Sequence, residues 1–488
     1  MMFFHLVSCA LFVHSAVASS MIVPPHSAIV FAFEDVYDLS LLAHTLSDQS
    51  GVETTLVIAH DEHDFYEHMI DVDIIRINAT FKDNNSKEER ALKLCDAVVS
   101  DNKLKRRLDN PTFVVFPGMR HDACLLPWIE SIPSIPVVWA RGFDEEIYAF
   151  VKTGMALPLH ETGFVQSFIE NLNLNYLLFT IQRNYITPAQ KIIKSRLPQA
   201  NIDLDSSYKN VQLVLWGADP VLRMNSAPLT QLVTEIGCHH CRGVQPLPAE
   251  DLQKFLVEYR SGSIVVLLDA DYDTLVTEIA EKLPSDRQGM AVVWKNKHVS
   301  IKNKPKNLAV HKTVDRQDLI GYSRVRLVLS HCSDSEFLEA AFHGTPLICL
   351  PRNVDELRNA QRAVELGFAA TQRLDTSKSD DLVELIKTIH ENTSYREKAR
   401  LVSTALRDRS NHAMDRLTYW LRYIARHNDE GRNLLLPKKV STYAEFWQTI
   451  VGFLFGVLFT AIATVIFFIT QDVSEHQKKK DKKMRHRN

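Results

Sequence analysis

Residues 329–360 read LSHCSDSEFLEAAFHGTPLICLPRNVDELRNA and contain a strand pattern, a helical pattern and a second strand pattern. The first apolar run ends at His331, and a short turn then opens a helix that carries Glu339. A Gly-Thr-Pro turn leads into the second apolar run, after which Asp355 and Glu356 form an acidic pair. This order predicts two neighbouring parallel strands, because parallel strands need a crossover connection that is usually a helix.

The alternation of apolar runs and amphipathic stretches extends on both sides of this segment. Apolar runs at Ala28–Phe33 and Thr54–Ala59 flank a helical pattern, and the same order begins again at Ser263. Strands that alternate with helices predict parallel sheets covered on both faces. We therefore predict an α/β fold of two doubly wound domains, joined within Cys238–Glu250, with ligands in the crevice at the carboxyl ends of the strands.

The order of residues from His331 onwards suits a nucleotide sugar. A helix that begins directly after a strand presents unpaired N–H groups and the positive end of its dipole, which suit phosphate. The carboxylate of Glu339 can accept hydrogen bonds from ribose hydroxyls, and Asp355 and Glu356 can accept them from a sugar. Each residue also has an ordinary alternative: His331 as a strand cap, Glu339 as a helix-surface acid, and the acidic pair as a favourable helix N-terminus.

Both ends of the chain predict insertion into a secretory membrane. Residues 1–18 combine an apolar run with small residues before a cleavage site, as in a secretory signal peptide, with a buried first strand as the alternative. Residues 449–470 form a stretch of 22 residues without a charge, which is long enough to span a bilayer. With Trp447 as an interface anchor, we predict a transmembrane helix over 447–470, the alternative being a buried soluble helix.

The tail that follows this helix predicts its orientation. Residues 471–488 carry seven Lys or Arg side chains against three acids, which predicts a basic cytosolic tail by the positive-inside rule. The body is then lumenal, in a type I single-pass protein of the endoplasmic reticulum or another secretory-pathway membrane. The lysines fit either a retrieval signal or a simple stop-transfer anchor, and sequons at Asn78, Asn84 and Asn392 predict a glycoprotein.

Composition excludes several classes of protein. Hydrophobic residues at 45% and charged residues at 24% exclude extended disorder, and a formal net charge of -3 predicts no nucleic-acid partner. Six cysteines remain after removal of the signal, and an oxidising lumen permits disulfides whose pairing the sequence leaves open. The motif Cys238-His239-His240-Cys241 resembles half of a zinc site, but no second pair lies at zinc-finger distance, so we expect no metal.

The segment 329–360 resembles the signature of the UDP-glycosyltransferases of the glucuronosyltransferase type. The resemblance continues through residues 385–427, and residues 236–252 resemble the stretch between the two domains of that family. The signal peptide, the membrane helix and the basic tail agree with it. The resemblance implies two facing Rossmann-like domains of the GT-B type, an acceptor-binding domain over 19–240 and a UDP-sugar-binding domain over 241–435.

The resemblance also implies a reaction and the residues that serve it. Family members transfer a hexosyl or glucuronosyl group from a UDP-sugar to a small lipophilic acceptor by inverting displacement, with the UDP-sugar as co-substrate and no metal or other cofactor. His331 would lie at the diphosphate, with Ser335 in the donor site and Glu339 at the ribose. Asp355 and Glu356 would face the donor sugar. Homo-oligomers and hetero-oligomers with family members are partners that the resemblance allows.

The departures from the family fall on the chemistry. Cys332 and Ser333 replace the two glycines after the family's histidine, so that side chains stand where backbone approaches phosphate. Glu336 and Asp269 add carboxylates near the diphosphate, where like charges repel. At the end of the first strand Asp35 aligns with the expected catalytic histidine, and an unperturbed Asp, with a pKa of about 3.9, is a weak base for an alcohol.

Two functions are compatible with these departures. The nearest histidine, His44, lies on the following helix, Asp122 is the candidate to orient a base, and Asp315-Arg316 replaces a Pro-Gln pair that contacts uracil in the family. The chain is either a membrane-anchored transferase or a catalytically silent member that keeps the fold and acts as a binding or regulatory partner of active relatives.

Overall fold

The computed structural model describes most of the chain between residues 26 and 485. The predicted signal peptide, 1–18, lies outside the described residues, as do Asp35, Asn84 and Asp122. The described residues are 26–33, 36–60, 65–66, 68–69, 71–79, 87–101, 104, 111–117, 125–130, 134–140, 153, 164–198, 203–219, 221–222, 230–296, 301, 303–373, 378–435 and 442–485.

The first domain is built on seven parallel strands: β1 Ser27–Ala32, β2 Glu53–Ala59, β3 Val72–Ile77, β4 Phe113–Pro117, β5 Ile135–Ala140, β6 Leu213–Trp216 and β7 Val233–Glu235. Its helices are α1 Val36–Ser50, α2 Lys87–Ser100, α3 Leu125–Glu130, α4 Phe164–Ile181, α5 Thr187–Arg196 and α6 Leu204–Ser207, with a π-helical turn Gln182–Ile186 and a 3-10 turn Tyr208–Asn210. The strand order is β3-β2-β1-β4-β5-β6-β7. The chain therefore winds outward from β1 in both directions, as a doubly wound sheet does.

The second domain repeats this construction with six parallel strands: β8 Ser263–Val266, β9 Ala291–Lys295, β10 Leu308–His311, β11 Val325–Ser330, β12 Leu347–Cys349 and β13 Ala369–Thr371. Its helices are α7 Glu250–Glu258, α8 Asp273–Lys282, α9 Arg316–Ile320, α10 Asp334–His343, α11 Val354–Glu365, α12 Ser379–Glu391 and α13 Thr393–Arg407, with a 3-10 turn Ala270–Tyr272. The order β10-β9-β8-β11-β12-β13 confirms the prediction of two doubly wound α/β domains.

Burial on both faces explains why the strands are short apolar runs. In β8, Ile264 and Val265 are both fully buried but belong to different apolar clusters, because successive side chains point to opposite faces of a sheet. Parallel sheets covered by helices on both sides require such continuous apolar strands. The carboxyl ends of these strands all lie at one edge of the sheet, and that edge carries the residues of interest.

A long helix, α14 Ala413–Leu435, returns from the second domain to the first. Its residues Leu417, Leu421 and Ile424 are buried in the apolar core of the first domain. The guanidinium group of Arg416 donates from Nε and Nη2 to the carbonyl oxygen of Glu235, at 3.1 and 2.9 Å. Helix α14 thus ties the two domains together.

The last helix, α15 Thr442–Arg485, contains the predicted membrane span 447–470. Its segment Ile450–His476 has a mean hydropathy of 2.6, and none of its most apolar part is buried against the described residues. By length and composition this helix can cross a membrane.

We expect the substitution Leu417→Ala to lower the free energy of unfolding by about 2–5 kcal/mol, because it leaves a cavity in a fully buried position of the first domain. Chemical unfolding of the full-length protein in detergent, followed by tryptophan fluorescence, measures the change. The matched control is Leu434→Ala on the same helix, where the side chain is 84% exposed and the change should stay within about 0.5 kcal/mol. Equal effects of the two variants would contradict this packing of α14.

Candidate functional site

His331 follows β11 and is held by the backbone of the neighbouring strand. It is 2% exposed, and its Nδ1 lies 2.9 Å from the carbonyl oxygen of Leu350. Because a carbonyl oxygen can only accept, Nδ1 carries a proton, and in the neutral ring Nε2 is then an acceptor. Nε2 is buried without a hydrogen-bond partner in the described part of the chain, 3.7 Å from Oδ2 of Asp269 after β8. His331 can therefore bind an anion through Nε2 only when the ring is protonated.

The next residue, Cys332, is bonded both within its own loop and to the neighbouring strand β12. Its backbone is left-handed, with φ of 62°, and its sulphur forms a disulfide with Cys349 of β12. A residue other than glycine in this region costs about 1–2 kcal/mol. The N–H of Cys332 donates to Oγ of Ser330 at 3.0 Å, so this backbone donor is already bonded inside the protein.

The N-terminus of α10 is occupied by a side chain of its own helix. Ser333 and Glu336 form a capping box, in which the N–H of Ser333 donates to Oε2 of Glu336 at 3.0 Å. Glu336 is buried, and burial raises the pKa of its carboxyl while the positive charge of Arg316 opposes that rise. Ser335, on the same turn, is 3% exposed. The sequence predicts that the N-terminus of α10 can bind phosphate, but the carboxylate of Glu336 already accepts one of the backbone N–H groups there.

Glu339, one turn further along α10, lies at the centre of a buried ion pair. Nε and Nη2 of Arg316 donate to its two carboxylate oxygens, each at 2.7 Å. Nε2 of His240, from the linker between the sheets, lies 3.2 Å from Oε1. Burial raises the pKa of Glu339, but the charge and hydrogen bonds of Arg316 and the contact with His240 outweigh it and lower the pKa to about 2. Glu339 is therefore ionised at neutral pH.

Two tyrosines of the first domain contact Arg316 and its neighbour Asp315 from across the crevice. The guanidinium carbon of Arg316 lies 4.7 Å from the ring centre of Tyr37, a cation–π contact. The hydroxyl of Tyr66 donates to Oδ2 of Asp315 at 3.4 Å. The two domains therefore meet directly at Asp315 and Arg316, beside the predicted donor-site residue Glu339.

A second cation, Arg352 after β12, pairs with two further acids. Its Nη1 contacts Oδ2 of Asp269, and its Nη2 donates to Oε1 of Glu356 at 2.8 Å. Glu356 is 4% exposed and also accepts from the backbone N–H of Arg352 at 2.7 Å. Asp355 lies on the same turn of α11, with Oδ1 3.7 Å from Nη1 of Arg358. The acidic pair of the sequence is thus part of an ion-pair network at a helix N-terminus.

The structure gathers five predicted residues, His331, Ser335, Glu339, Asp355 and Glu356, at or next to the carboxyl ends of β11 and β12. The sixth, Asp35, lies outside the described residues. His44 is half-buried on α1 with its ring 5.3 Å from that of Tyr66, and burial lowers its pKa.

Sequence reasoning missed the partners of these acids. Arg316, Arg352, His240 and Tyr37 are all in contact with the candidate site, yet only the Asp315-Arg316 replacement gave a signal in the sequence. Arg352, four residues before Glu356, was a further available signal, although it lies ahead of α11 in the turn that leads into that helix. The result is that Glu339, Asp355 and Glu356 are each already paired with an arginine of the protein.

Comparisons with known proteins identify a family that this sequence matches. The sequence model of a family described as "UDP-glucoronosyl and UDP-glucosyl transferase" matches residues 18–484. The chain is 26% identical to UDP-glucuronosyltransferase 2B19 of Macaca fascicularis over 414 residues. That alignment covers 78% of this chain and 73% of the relative. The chain is 27% identical over 254 residues to UDP-glucosyltransferase 2 of Dactylopius coccus, which covers 51% of this chain and 48% of that protein.

Solved structures show the same fold. The glycotransferase of kitacinnamycin superposes with a TM-score of 0.55 at 16% identity, covering 82% of this chain and 100% of that chain. The calicheamicin glycosyltransferase CalG4 gives a TM-score of 0.54 at 16% identity with the same coverage. The two parallel-sheet domains therefore form the GT-B architecture.

We expect the Arg316–Glu339 pair to show strong coupling in a double-mutant cycle. Arg316→Gln or Glu339→Gln alone should lower the free energy of unfolding by about 3–5 kcal/mol, because each leaves one buried charge unpaired. The double variant should cost less than the sum of the two. Denaturant unfolding of the full-length protein measures all four corners.

The matched control is the pair of Arg196 and Asp96, which is also bidentate, at 2.8 and 2.9 Å, but solvent-exposed. Its coupling should stay below about 1 kcal/mol. Additive costs at Arg316 and Glu339 would contradict the buried pair.

The same pair predicts a pH dependence. The pKa of Glu339 is lowered from 4.5 to about 2 in the folded protein, so its stabilising contribution is complete above the unfolded value. That contribution should be lost as the pH falls from about 4.5 towards 2. Stability measured over this range should therefore depend more steeply on pH in the unmodified protein than in Glu339→Gln. Parallel curves would show that Glu339 is not ionised against Arg316.

Proposed function

The chain belongs to the UDP-glucuronosyl and UDP-glucosyl transferase family, and we propose that it is a membrane-anchored transferase with a UDP-sugar as co-substrate. In this proposal it moves a hexosyl or glucuronosyl group to a small lipophilic acceptor by inverting displacement. The acceptor binds in the first domain and the UDP-sugar in the second. No metal or other cofactor takes part in the transfer.

One observation carries this proposal: the ionised carboxylate of Glu339 lies where both domains meet. Among the described residues, its Oε1 accepts from Arg316 and faces His240, whereas its Oε2 accepts only from Arg316. A carboxylate oxygen can accept two hydrogen bonds, so Oε2 keeps the capacity to accept one ribose hydroxyl. Because Glu339 is 2% exposed, the nucleotide must first separate Tyr37 from Arg316.

The displacement itself requires a base and a stabilised leaving group. The acceptor hydroxyl attacks the anomeric carbon, the bond to UDP breaks, and the proton passes to the base, for which we propose Asp35. His331, when protonated, and Arg352 are the cations at the carboxyl ends of β11 and β12 that are placed to offset the charge of the departing diphosphate. Asp355 and Glu356 accept from the sugar hydroxyls.

A second function is favoured by a different observation. Glu336 occupies the N-terminus of α10, and Arg352 is shared by Asp269 and Glu356, so the donors that a diphosphate needs already have anionic partners. A catalytically silent protein that keeps the fold and acts as a binding or regulatory partner of active relatives accounts for this arrangement. Such a protein need not bind UDP tightly.

Calorimetric titration with UDP and a transfer assay separate the two functions. For a transferase, the full-length protein in detergent binds UDP and transfers labelled glucose or glucuronic acid to lipophilic phenols. Asp35→Asn should then lower turnover by about 10²–10⁴-fold without changing UDP affinity. Glu339→Gln should weaken UDP binding by about 10- to 150-fold, the value of a hydrogen bond to a charged group.

The control is Glu365→Gln, an exposed acid on α11 whose loss should change neither quantity. Circular dichroism of each variant distinguishes a lost contact from lost folding. If the protein binds UDP but shows no turnover, and Asp35→Asn leaves UDP binding unchanged, the result would favour the silent protein. No binding at millimolar UDP would end the donor-site proposal.

We also propose a secretory-pathway membrane setting with a lumenal body, most simply the endoplasmic reticulum. Asn392 is exposed and caps α13 through Oδ1, which accepts from the N–H of Ser394 at 3.0 Å. A glycan would be attached at the side-chain nitrogen, so the cap can persist. The membrane helix α15 then places the basic tail in the cytosol.

We expect Ser394→Ala to remove one glycan from the protein expressed in a eukaryotic cell. The variant destroys the sequon but keeps both Asn392 and the backbone N–H that it caps, so the fold should be unchanged. The mass before and after glycosidase treatment measures the loss. The lumenal body would be contradicted if Asn392 of the unsubstituted protein carries no glycan and the basic tail is protected from protease added on the cytosolic side of the membrane.

A further inference from the structure

The linker between the two sheets contains a compact group of metal-binding side chains. The sulphur atoms of Cys238 and Cys241 and one ring nitrogen of His240 all lie within 4.8 Å of one another. The sequence alone predicted no metal here, because no second cysteine pair follows at zinc-finger distance. The structure shows that His240, one of the two histidines between these cysteines, is the third metal-binding group.

The hydrogen bonding of His240 leaves one nitrogen for a ligand. Its Nε2 lies 3.2 Å from the ionised carboxylate of Glu339, which can only accept, so Nε2 carries the proton. Nδ1 then holds a lone pair, and it is buried without a hydrogen-bond partner in the part of the chain that the structure describes. His240 itself is 8% exposed. A histidine that ligates a metal through one nitrogen characteristically donates from the other to a carboxylate, as His240 does to Glu339.

We propose that Cys238, Cys241 and Nδ1 of His240 form a zinc site in the reduced protein. Two thiolates and an imidazole suit Zn²⁺, with metal–sulphur distances of about 2.3 Å and a tetrahedral arrangement. In such a tetrahedron two sulphurs ligated at about 2.3 Å lie about 3.8 Å apart, so the two sulphurs separate after reduction of the disulfide while Nδ1 stays within reach of the ion. The fourth position is left to water, because three protein ligands and an open position are a common zinc arrangement.

The structure shows the oxidised form of the same residues, in which Cys238 and Cys241 are joined as a disulfide. Reduction converts the disulfide into two thiols with two electrons and two protons: a dithiol supplies them and is left as its own disulfide, whereas a phosphine with one water supplies them and is left as the phosphine oxide. Binding of Zn²⁺ then releases the two thiol protons. The linker therefore has two exclusive states, a disulfide and a metal site.

His240 connects the proposed zinc site to Glu339, the candidate donor carboxylate. With the metal on Nδ1, the Nε2–H of His240 is fixed towards Oε1 of Glu339. Zinc loading then holds one partner of the Arg316–Glu339 pair in place, while the disulfide leaves the ring free of this constraint. The metal site does not depend on the proposed transferase activity, and its occupancy can be measured without any substrate.

The test uses the full-length protein in detergent, reduced with a phosphine, loaded with Zn²⁺ and freed of excess ion. Metal analysis should give one zinc per chain for the reduced protein and none for the oxidised protein. Loading with Co²⁺ should give the thiolate-to-cobalt charge-transfer absorption in the unsubstituted protein, which needs no variant and no refolding control.

Cys238→Ser and His240→Gln should each weaken zinc binding at least tenfold, and Cys238→Ser should also lose most of the cobalt absorption. The matched control is His60→Gln, an exposed histidine outside the group, which should bind zinc as the unsubstituted protein does. The proposal is overturned if the reduced protein retains no zinc, or if Cys238→Ser retains as much as the control. In either case Cys238 and Cys241 form a structural disulfide only.

Discussion

The rest of the structure depends on the buried ion pair of Arg316 and Glu339. Both charges are removed from water, so neither can be left without the other, and a bidentate geometry fixes their relative position. Arg316 starts α9 and Glu339 lies on α10, so the pair locks two helices of the second domain. Tyr37 makes a cation–π contact with the guanidinium group, which carries the constraint into the first domain.

Ion pairs of this kind explain why the chain keeps the fold of the family while its candidate donor site departs from the family's residues. The fold needs only apolar strands and helices of suitable length, which the chain retains in both sheets. The chemistry needs free donors at the N-terminus of α10 and around Arg352, but Glu336, Asp269 and Glu356 already bind them. In the proposed transferase, a diphosphate would have to displace a carboxylate held by its own helix, and the intramolecular group has the advantage of its fixed position.

The sequence predicts local order well and long-range charge pairing poorly. The segment from β11 through α10 to β12 was predictable because apolar period, capping residues and the Gly-Thr-Pro turn all agree. Glu339 could be placed on α10 for the same reason. Its partner could not, because Arg316 lies 23 residues away on another helix, and Asp269 lies 83 residues from Arg352. Only the packing of both sheets decides which charges meet.

The linker between the domains belongs to the same network. His240 contacts Glu339, and the next residue but one, Arg242, donates from Nη1 and Nη2 to the two carboxylate oxygens of Asp318 on α9, at 2.6 and 3.0 Å. The linker therefore holds both helices that carry the central ion pair. Any change of state within it, such as disulfide or metal, acts directly on Glu339. The residues that join the domains are for this reason also the residues best placed to control the crevice.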